Sequence, residues 1–210
     1  LFNSMGVRGE KLFTRADGEL AVRIARAQIE RKLGNKDAEI PKETENFLNE
    51  SGVFVTLNTY PDKDLRGCIG YPEPIMALGK AIKDVAVSAA LRDPRFPAVQ
   101  LKEMDSIVID VTLLTPPEKI RYRDEEDLIR QIRIGRDGLI AKRSFFSGLL
   151  LPQVPVEYKW TVEEFLSHTC LKAGLRPEEW RRGDVEFQKF QGKVFGEESP
   201  RGPVREIPLS

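Results

Sequence analysis

Ile107 to Leu114 places Ile107, Ile109, Val111 and Leu113 on one side of an extended chain and Val108, Asp110 and Thr112 on the other. Side chains alternate across a strand with a period of two, so this run predicts a strand with one face firmly buried. Thr115-Pro116-Pro117 closes it, because proline has no N–H to give to a ladder. A chain built around such a strand needs partners for both of its edges, and they are close in sequence. Val53 to Asn58 is rich in β-formers, and Leu65 to Gly70 follows after the polar turn Tyr60-Pro61-Asp62-Lys63-Asp64, which reads as a hairpin. Ile132 to Gly135 and Leu139 to Arg143 flank Arg136-Asp137-Gly138, where Asp-Gly suits the positive φ angles of a second hairpin turn. Phe187, Phe190 and Phe195 point to a final aromatic strand or hairpin.

Helical periodicity fills the gaps. Ala21, Ile24, Ala25, Ile29 and Leu33 line one face of a helix starting at Asp17 and stopping at Gly34. Residues 1–16 before it lack periodicity. Leu78, Ile82, Val85 and Ala89 mark a helix within Ile75 to Leu91, ended by Asp93-Pro94, since residues before proline disfavour the helical region. Arg123 to Gln131 reads as a short helix whose acidic start, Asp124 to Asp127, complements the helix dipole. Leu149 to Pro155 is expected to be extended or looped, because its prolines interrupt regular structure. Thr161 caps a further helix with Glu164 completing a capping box, and Gly174 ends it. Hairpin strands interspersed with about four helices give an α+β fold with mostly antiparallel sheet.

Lys plus Arg number 33 and Asp plus Glu number 33, so no global field draws the chain to nucleic acid or anionic lipid. No segment interleaves a basic stripe with aromatics, and no apolar run reaches the roughly 20 residues that span a bilayer. Neither nucleic acid nor membrane is expected as a partner. Phosphate-cradling G-x-x-x-x-G-K-[ST] and G-x-G-x-x-G patterns are absent, and one histidine with two separated cysteines does not form a tetrahedral zinc set. No cofactor and no metal is expected. Two cysteines are too few for a disulfide framework and suit a reducing, cytoplasmic setting.

The residues that stand out are Leu65-Arg66-Gly67-Cys68-Ile69-Gly70. Glycine weakens a strand interior and is tolerated where another backbone or a ligand approaches closely. The two-residue spacing of Arg66 and Cys68 puts a guanidinium and a thiol on one strand face, where the cation would favour the nucleophilic thiolate. The plainer alternative is a small buried hydrophobe beside a surface ion pair. His168, the single histidine, is the one imidazole available to activate Cys68; its alternative is packing on its own helix. Backbone N–H groups around Gly67 and Gly70 would stabilise developing negative charge. Asp93, Arg95, Gln153, Glu157 and Tyr158 are further candidates for lining a cleft, with capping, ion pairing and loop hydrogen bonds as their structural alternatives.

The hexapeptide resembles the motif of the AMMECR domain family. The resemblance continues through Asp93-Pro94-Arg95-Phe96-Pro97, Leu114-Thr115-Pro116-Pro117-Glu118, Gly138-Leu139-Ile140, Leu150-Leu151-Pro152-Gln153-Val154, and Phe165-Leu166 to Lys172-Ala173-Gly174-Leu175, spanning residues 14 to about 195. Ser144-Phe145-Phe146-Ser147-Gly148 departs from the glycine-led wording of many members. The resemblance implies one domain over residues 1–210, with two unequal lobes and a cleft between them. The larger lobe comes from both chain ends and the smaller from the middle. It also implies the hexapeptide as the functional site, without a settled reaction. Prokaryotic relatives encoded beside, or fused to, Memo-type and radical-SAM-type proteins suggest such partners and a modification pathway, by analogy alone. Two readings follow: a cysteine-dependent enzyme or covalent carrier, and an adaptor that binds a protein or peptide.

Overall fold

The structure is a computed structural model that describes residues 13–208; the aperiodic stretch expected before the first helix lies largely outside the described residues. In chain order the elements are α1 (Arg15–Lys32), β1 (Val53–Thr59), β2 (Leu65–Tyr71), α2 (Leu78–Leu91), β3 (Ile107–Leu114), β4 (Glu118–Lys119), α3 (Glu125–Arg130), β5 (Asp137–Arg143), β6 (Phe146–Leu150), α4 (Val154–Glu157), α5 (Val162–Lys172), β7 (Glu186–Glu197) and β8 (Val204–Ile207). Every strand pair is antiparallel, and the sheet runs β2-β1-β3-β7-β5-β6, with β4 and β8 also on β7. The fold is α+β, a curled antiparallel sheet flanked by helices.

The spine is β7, whose 12 residues outlast any neighbour. Its C-terminal part pairs with β3 and β8, and its N-terminal part with β4 and β5. Phe187 and Phe195 lie eight residues apart and so share one face of the strand. Phe195 joins the core formed by α1, α2 and the alternating residues of β1 and β3, while Phe187 joins the core under α3 and α5. Phe190 has the opposite parity and meets Leu114 and Ile140 on the other face. Both helix-backed cores therefore lie on one face of the sheet, and the smaller cluster lies on the other. Burying each of these phenylalanines is worth roughly 1.5–3 kcal/mol.

Local signals explain most boundaries. Helix α1 is capped by Thr14 rather than Asp17; Asp17 occupies the third helical position and reaches back to the Thr14 N–H, completing a capping box. Arg26 ties this helix to the spine, donating to both Glu197 oxygens at 2.6 Å, while Glu197 accepts from the Ile109 N–H at 3.0 Å. The predicted turn at Arg136-Asp137-Gly138 is instead the start of β5, and the hairpin forms between β5 and β6 around Ser144-Phe145. Two contacts account for the difference. Asp137 is fully buried and accepts from the Arg133 N–H, and the space a Cβ on Gly138 would need is filled by the Phe190 ring, 2.2 Å away. Pro155 sits in the first turn of α4, where its missing N–H has no helical partner to lose, so the stretch expected to be looped holds a short helix.

Candidate functional site

Cys68 lies on β2, the edge strand at one end of the sheet, opposite Thr56 of β1. Gly67 explains how β2 is seated. An added Cβ there would lie 2.2 Å from the Ala89 carbonyl oxygen, so only glycine lets the strand rest on the last turns of α2. Because Gly67 faces α2, Cys68 faces the opposite side of the sheet. The residue is half-buried, and its sulfur accepts a hydrogen bond from the Thr56 hydroxyl at 3.2 Å. Gly70, next on that face, leaves room for the Phe54 ring, which an added Cβ would meet at 2.2 Å. Half-buried Leu149 and Leu151 extend the apolar floor around buried Leu114, Ile140 and Phe190.

An edge strand leaves half of its backbone groups without a ladder partner. At Cys68 both are taken. Its N–H donates to Asp93 Oδ2 at 2.9 Å, and its carbonyl accepts from Arg95 Nη2 at 3.2 Å. Arg95 in turn donates to Asp93 Oδ1 from Nε at 3.0 Å and to Oδ2 from Nη2 at 2.7 Å. The Arg95 guanidinium and the Cys68 N–H hold the buried Asp93 carboxyl well below the usual carboxylate range. The hexapeptide and the Asp93-to-Pro97 loop are thus one clasp, which accounts for their joint appearance in the sequence.

Arg66 does not stand beside the sulfur as its spacing predicts. Leu57 pairs with Gly67 but Asn58 pairs with Leu65, so Arg66 is the extra residue of a β-bulge. The bulge aims its guanidinium at Glu103, with Nε 3.1 Å from Oε2, and at the Pro97 carbonyl 2.9 Å away. The guanidinium bonded to Cys68 belongs to Arg95. His168 is on α5, which packs on β5 and β6 at the far end of the sheet and on its helix-backed face. The ring stacks on Trp160 at 3.9 Å, with Tyr158 stacked on Trp160 in turn at 5.0 Å. Among the described residues no hydrogen bond joins His168 to Cys68. Gln153, Glu157 and Tyr158 lie on or beside α4, after β6, and the exposed Tyr158 is an outer member of that stack. The structure therefore brings Cys68, Gly67, Gly70, Asp93 and Arg95 together, while among the described residues no hydrogen bond joins His168, Gln153, Glu157 or Tyr158 to Cys68.

Thr56, Phe54 and Asp110 were not singled out by the sequence. Thr56 faces Cys68 on one side and Asp110 on the other, and Asp110 faces Gly196, so the four form a single row across β2, β1, β3 and β7. Burial pushes the Asp110 carboxyl up to about 6, an effect Glu197 reinforces and Lys63, Asn58 and Arg205 oppose. Asn58 Nδ2 donates to Asp110 Oδ2 at 2.9 Å. The alternation in β1 and β3 held this row, but only the register reveals it. Cys170 is a different thiol: it lies on the buried face of α5, and burial pushes it up to about 11.

Among the described residues no group of three or more His, Cys, Asp or Glu side chains converges on a metal position. No helix among them is long and apolar enough to cross a membrane.

Comparison with known proteins agrees with these motifs. The sequence is similar to Protein MJ0810 of Methanocaldococcus jannaschii, 54% identical over 199 residues that cover 95% of this chain and 99% of that one. Protein MK0488 of Methanopyrus kandleri is 51% identical, with 96% and 98% covered. The fold is similar to the crystal structure of the uncharacterised protein PH0010 of Pyrococcus horikoshii, with a TM-score of 0.73, 49% identity, and 91% of this chain and 96% of that chain covered. The AMMECR1 family model matches residues 22–195, which contain the clasp and all but the last two residues of β7, and the chain belongs to that family.

Proposed function

We propose that the sheet face turned away from α2 at β2 is the working surface and that Cys68 is its reacting group, adding to an electrophilic double bond of a substrate so that a sulfur–carbon bond forms and the thiol proton ends on the neighbouring carbon. The observation that carries this is a half-buried cysteine facing away from α2, on a backbone clamped on both sides by Asp93 and Arg95. A fixed backbone lowers the cost of presenting the thiol in one geometry. The only side chain hydrogen-bonded to the sulfur among the described residues is the Thr56 hydroxyl, so a covalent carrier fits better than acid–base chemistry through an imidazole. The apolar surface of Phe54, Leu149 and Leu151 would hold a nonpolar part of the substrate. The expected compartment is the cytoplasm, where both thiols stay reduced.

Maleimides of increasing N-alkyl length test the thiol and the floor together. The thiol adds across the ring double bond: a sulfur–carbon bond forms, and the proton ends on the adjacent ring carbon. The native Cys170→Ser protein should take up one equivalent, at Cys68, with N-hexylmaleimide reacting about tenfold faster than N-methylmaleimide, well within the ~0.8 kcal/mol per buried methylene that the extra carbons allow. Phe54→Ala should remove most of that preference. No uptake before unfolding would end the covalent reading, and uptake without a chain-length preference would end the role of the floor.

A further inference from the structure

The sheet ends at the other side in β6, and this edge has no clasp. Among the described residues, no backbone or side-chain group outside β5 hydrogen-bonds to residues 146–150. Arg143 and Phe146 flank the two-residue turn Ser144-Phe145 and form its closing pair. Bonded and non-bonded pairs alternate along an antiparallel ladder, so Ser147 and Leu149 turn their N–H and C=O groups outward. Residues Phe145 to Leu151 carry no charge, the usual device that keeps an edge from pairing. Phe145 is fully exposed, and Phe146 and Leu171 are each 49% exposed, so the edge is rimmed by apolar surface.

We infer that β6 is a docking edge for one extended, apolar peptide segment of a partner protein, which adds antiparallel as a further strand. Main-chain bonds to Ser147 and Leu149 would give affinity, and Phe145, Phe146 and Leu171 would select apolar side chains at alternate positions. The structure also says why the occupant is a lone strand rather than a second copy. The end of α5 lies directly on β6: a Cβ on Gly148 would be 2.2 Å from the Ala173 nitrogen and 2.4 Å from the Lys172 carbonyl carbon. In the register that uses the outward groups of both Ser147 and Leu149, Gly148 stands opposite its copy, and two copies paired through β6 would bring two such helix ends to about the 4.8 Å strand spacing. Packed helices need about 8–10 Å. A segment with nothing on its back avoids that collision. Cys68 lies on the opposite edge strand; Leu149 lends its side chain to the floor proposed for Cys68 and only its main chain to this edge, so the inference does not depend on covalent chemistry there.

The test is selection of phage-displayed heptapeptides on the immobilised full chain, followed by fluorescence anisotropy of the enriched peptides in labelled form. Enriched sequences should carry apolar residues at alternate positions and no proline in the middle. Ser147→Pro, which removes one outward donor without touching the β5 ladder, should weaken binding at least tenfold, and Phe145→Asp comparably. N-methylation of alternate peptide nitrogens should abolish it in one of the two phases. Circular dichroism melts of both variants should match the parent, and Ser147→Pro should leave maleimide uptake at Cys68 unchanged. Absence of any enriched peptide, or equal binding by parent and both variants, would overturn the inference. Self-association of the parent in sedimentation equilibrium, lost in Ser147→Pro, would also overturn it, in favour of a second copy.

Discussion

The two edges of the sheet are built alike up to a point and then diverge. Each edge strand carries a glycine pressed on the end of a helix, Gly67 on the Ala89 carbonyl of α2 and Gly148 on the Ala173 nitrogen after α5. Beyond that, β2 has its backbone at Cys68 closed by a buried carboxylate and a guanidinium, whereas β6 leaves its outward groups bare beside exposed phenylalanines. The difference shows that one sheet can close an edge with charge and leave another ready to pair. It also places the cysteine motif in a new light. Asp93 and Arg95 act on the backbone of Cys68 and not on its sulfur, so they are positioning residues.

The largest effect should come from opening the closed edge. Asp93→Ala removes the acceptor of the Cys68 N–H and leaves the Arg95 guanidinium with the Cys68 carbonyl alone, which should cost about 2–3 kcal/mol in urea denaturation. Acid titration sharpens the same point. The folded Asp93 carboxyl is more acidic than a free one near 3.9, so its contribution is complete above about pH 4 and is lost as pH falls below that. Asp93→Asn should lose that acid limb. If Asp93→Ala were neutral, the clasp would not be what closes β2.

Gly67→Ala and Gly148→Ala test what the edges share. Each puts a methyl group into rigid backbone, so each should destabilise by about 1–3 kcal/mol, and by similar amounts. A loss at Gly67 alone would mean that β6 can shift away from α5, and the collision that excludes a second copy would weaken with it.

Between the edges, Asp110 separates charge from edge protection. Burial pushes its folded carboxyl up to about 6, above its value in the unfolded chain, so the fold favours the protonated form; the contribution of Asp110 to stability is greatest below about pH 4 and declines as pH rises through 6. Asp110→Asn should flatten that decline and raise stability by about 1–2 kcal/mol at pH 8. An unchanged pH profile in thermal melts would remove Asp110 as its source. The smallest effect belongs to the open edge. Ser144 holds φ at 53° in the β5–β6 turn, a conformation glycine adopts without penalty, so Ser144→Gly should stabilise by about 0.5 kcal/mol. A loss of stability would mean that the Ser144 side chain supports the turn.

How much of this was legible follows from the range of the forces involved. The alternation of Ile107 to Leu114, the hairpin at Tyr60 to Asp64 and the capping box at Thr161 are set by neighbours within a few residues, and the structure places them where the sequence does. The Asp-Gly turn failed because Phe190, about 50 residues away in sequence, fills the space beside Gly138 and holds the segment in the sheet. In the site, the motifs marked Cys68, Asp93 and Arg95, but neither the bulge that turns Arg66 away nor the sheet face that separates His168 from the thiol has a local signature.

The sequence by itself determined the antiparallel α+β class, the family and the residues of the clasp, because periodicity, caps and motif wording are properties of contiguous residues. Tertiary structure alone decided which face each strand turned to the helices, which residue stood across from Cys68, and which edge of the sheet was closed. Those depend on the register of strands far apart in the chain, and a shift of one residue would have turned every side chain to the opposite face.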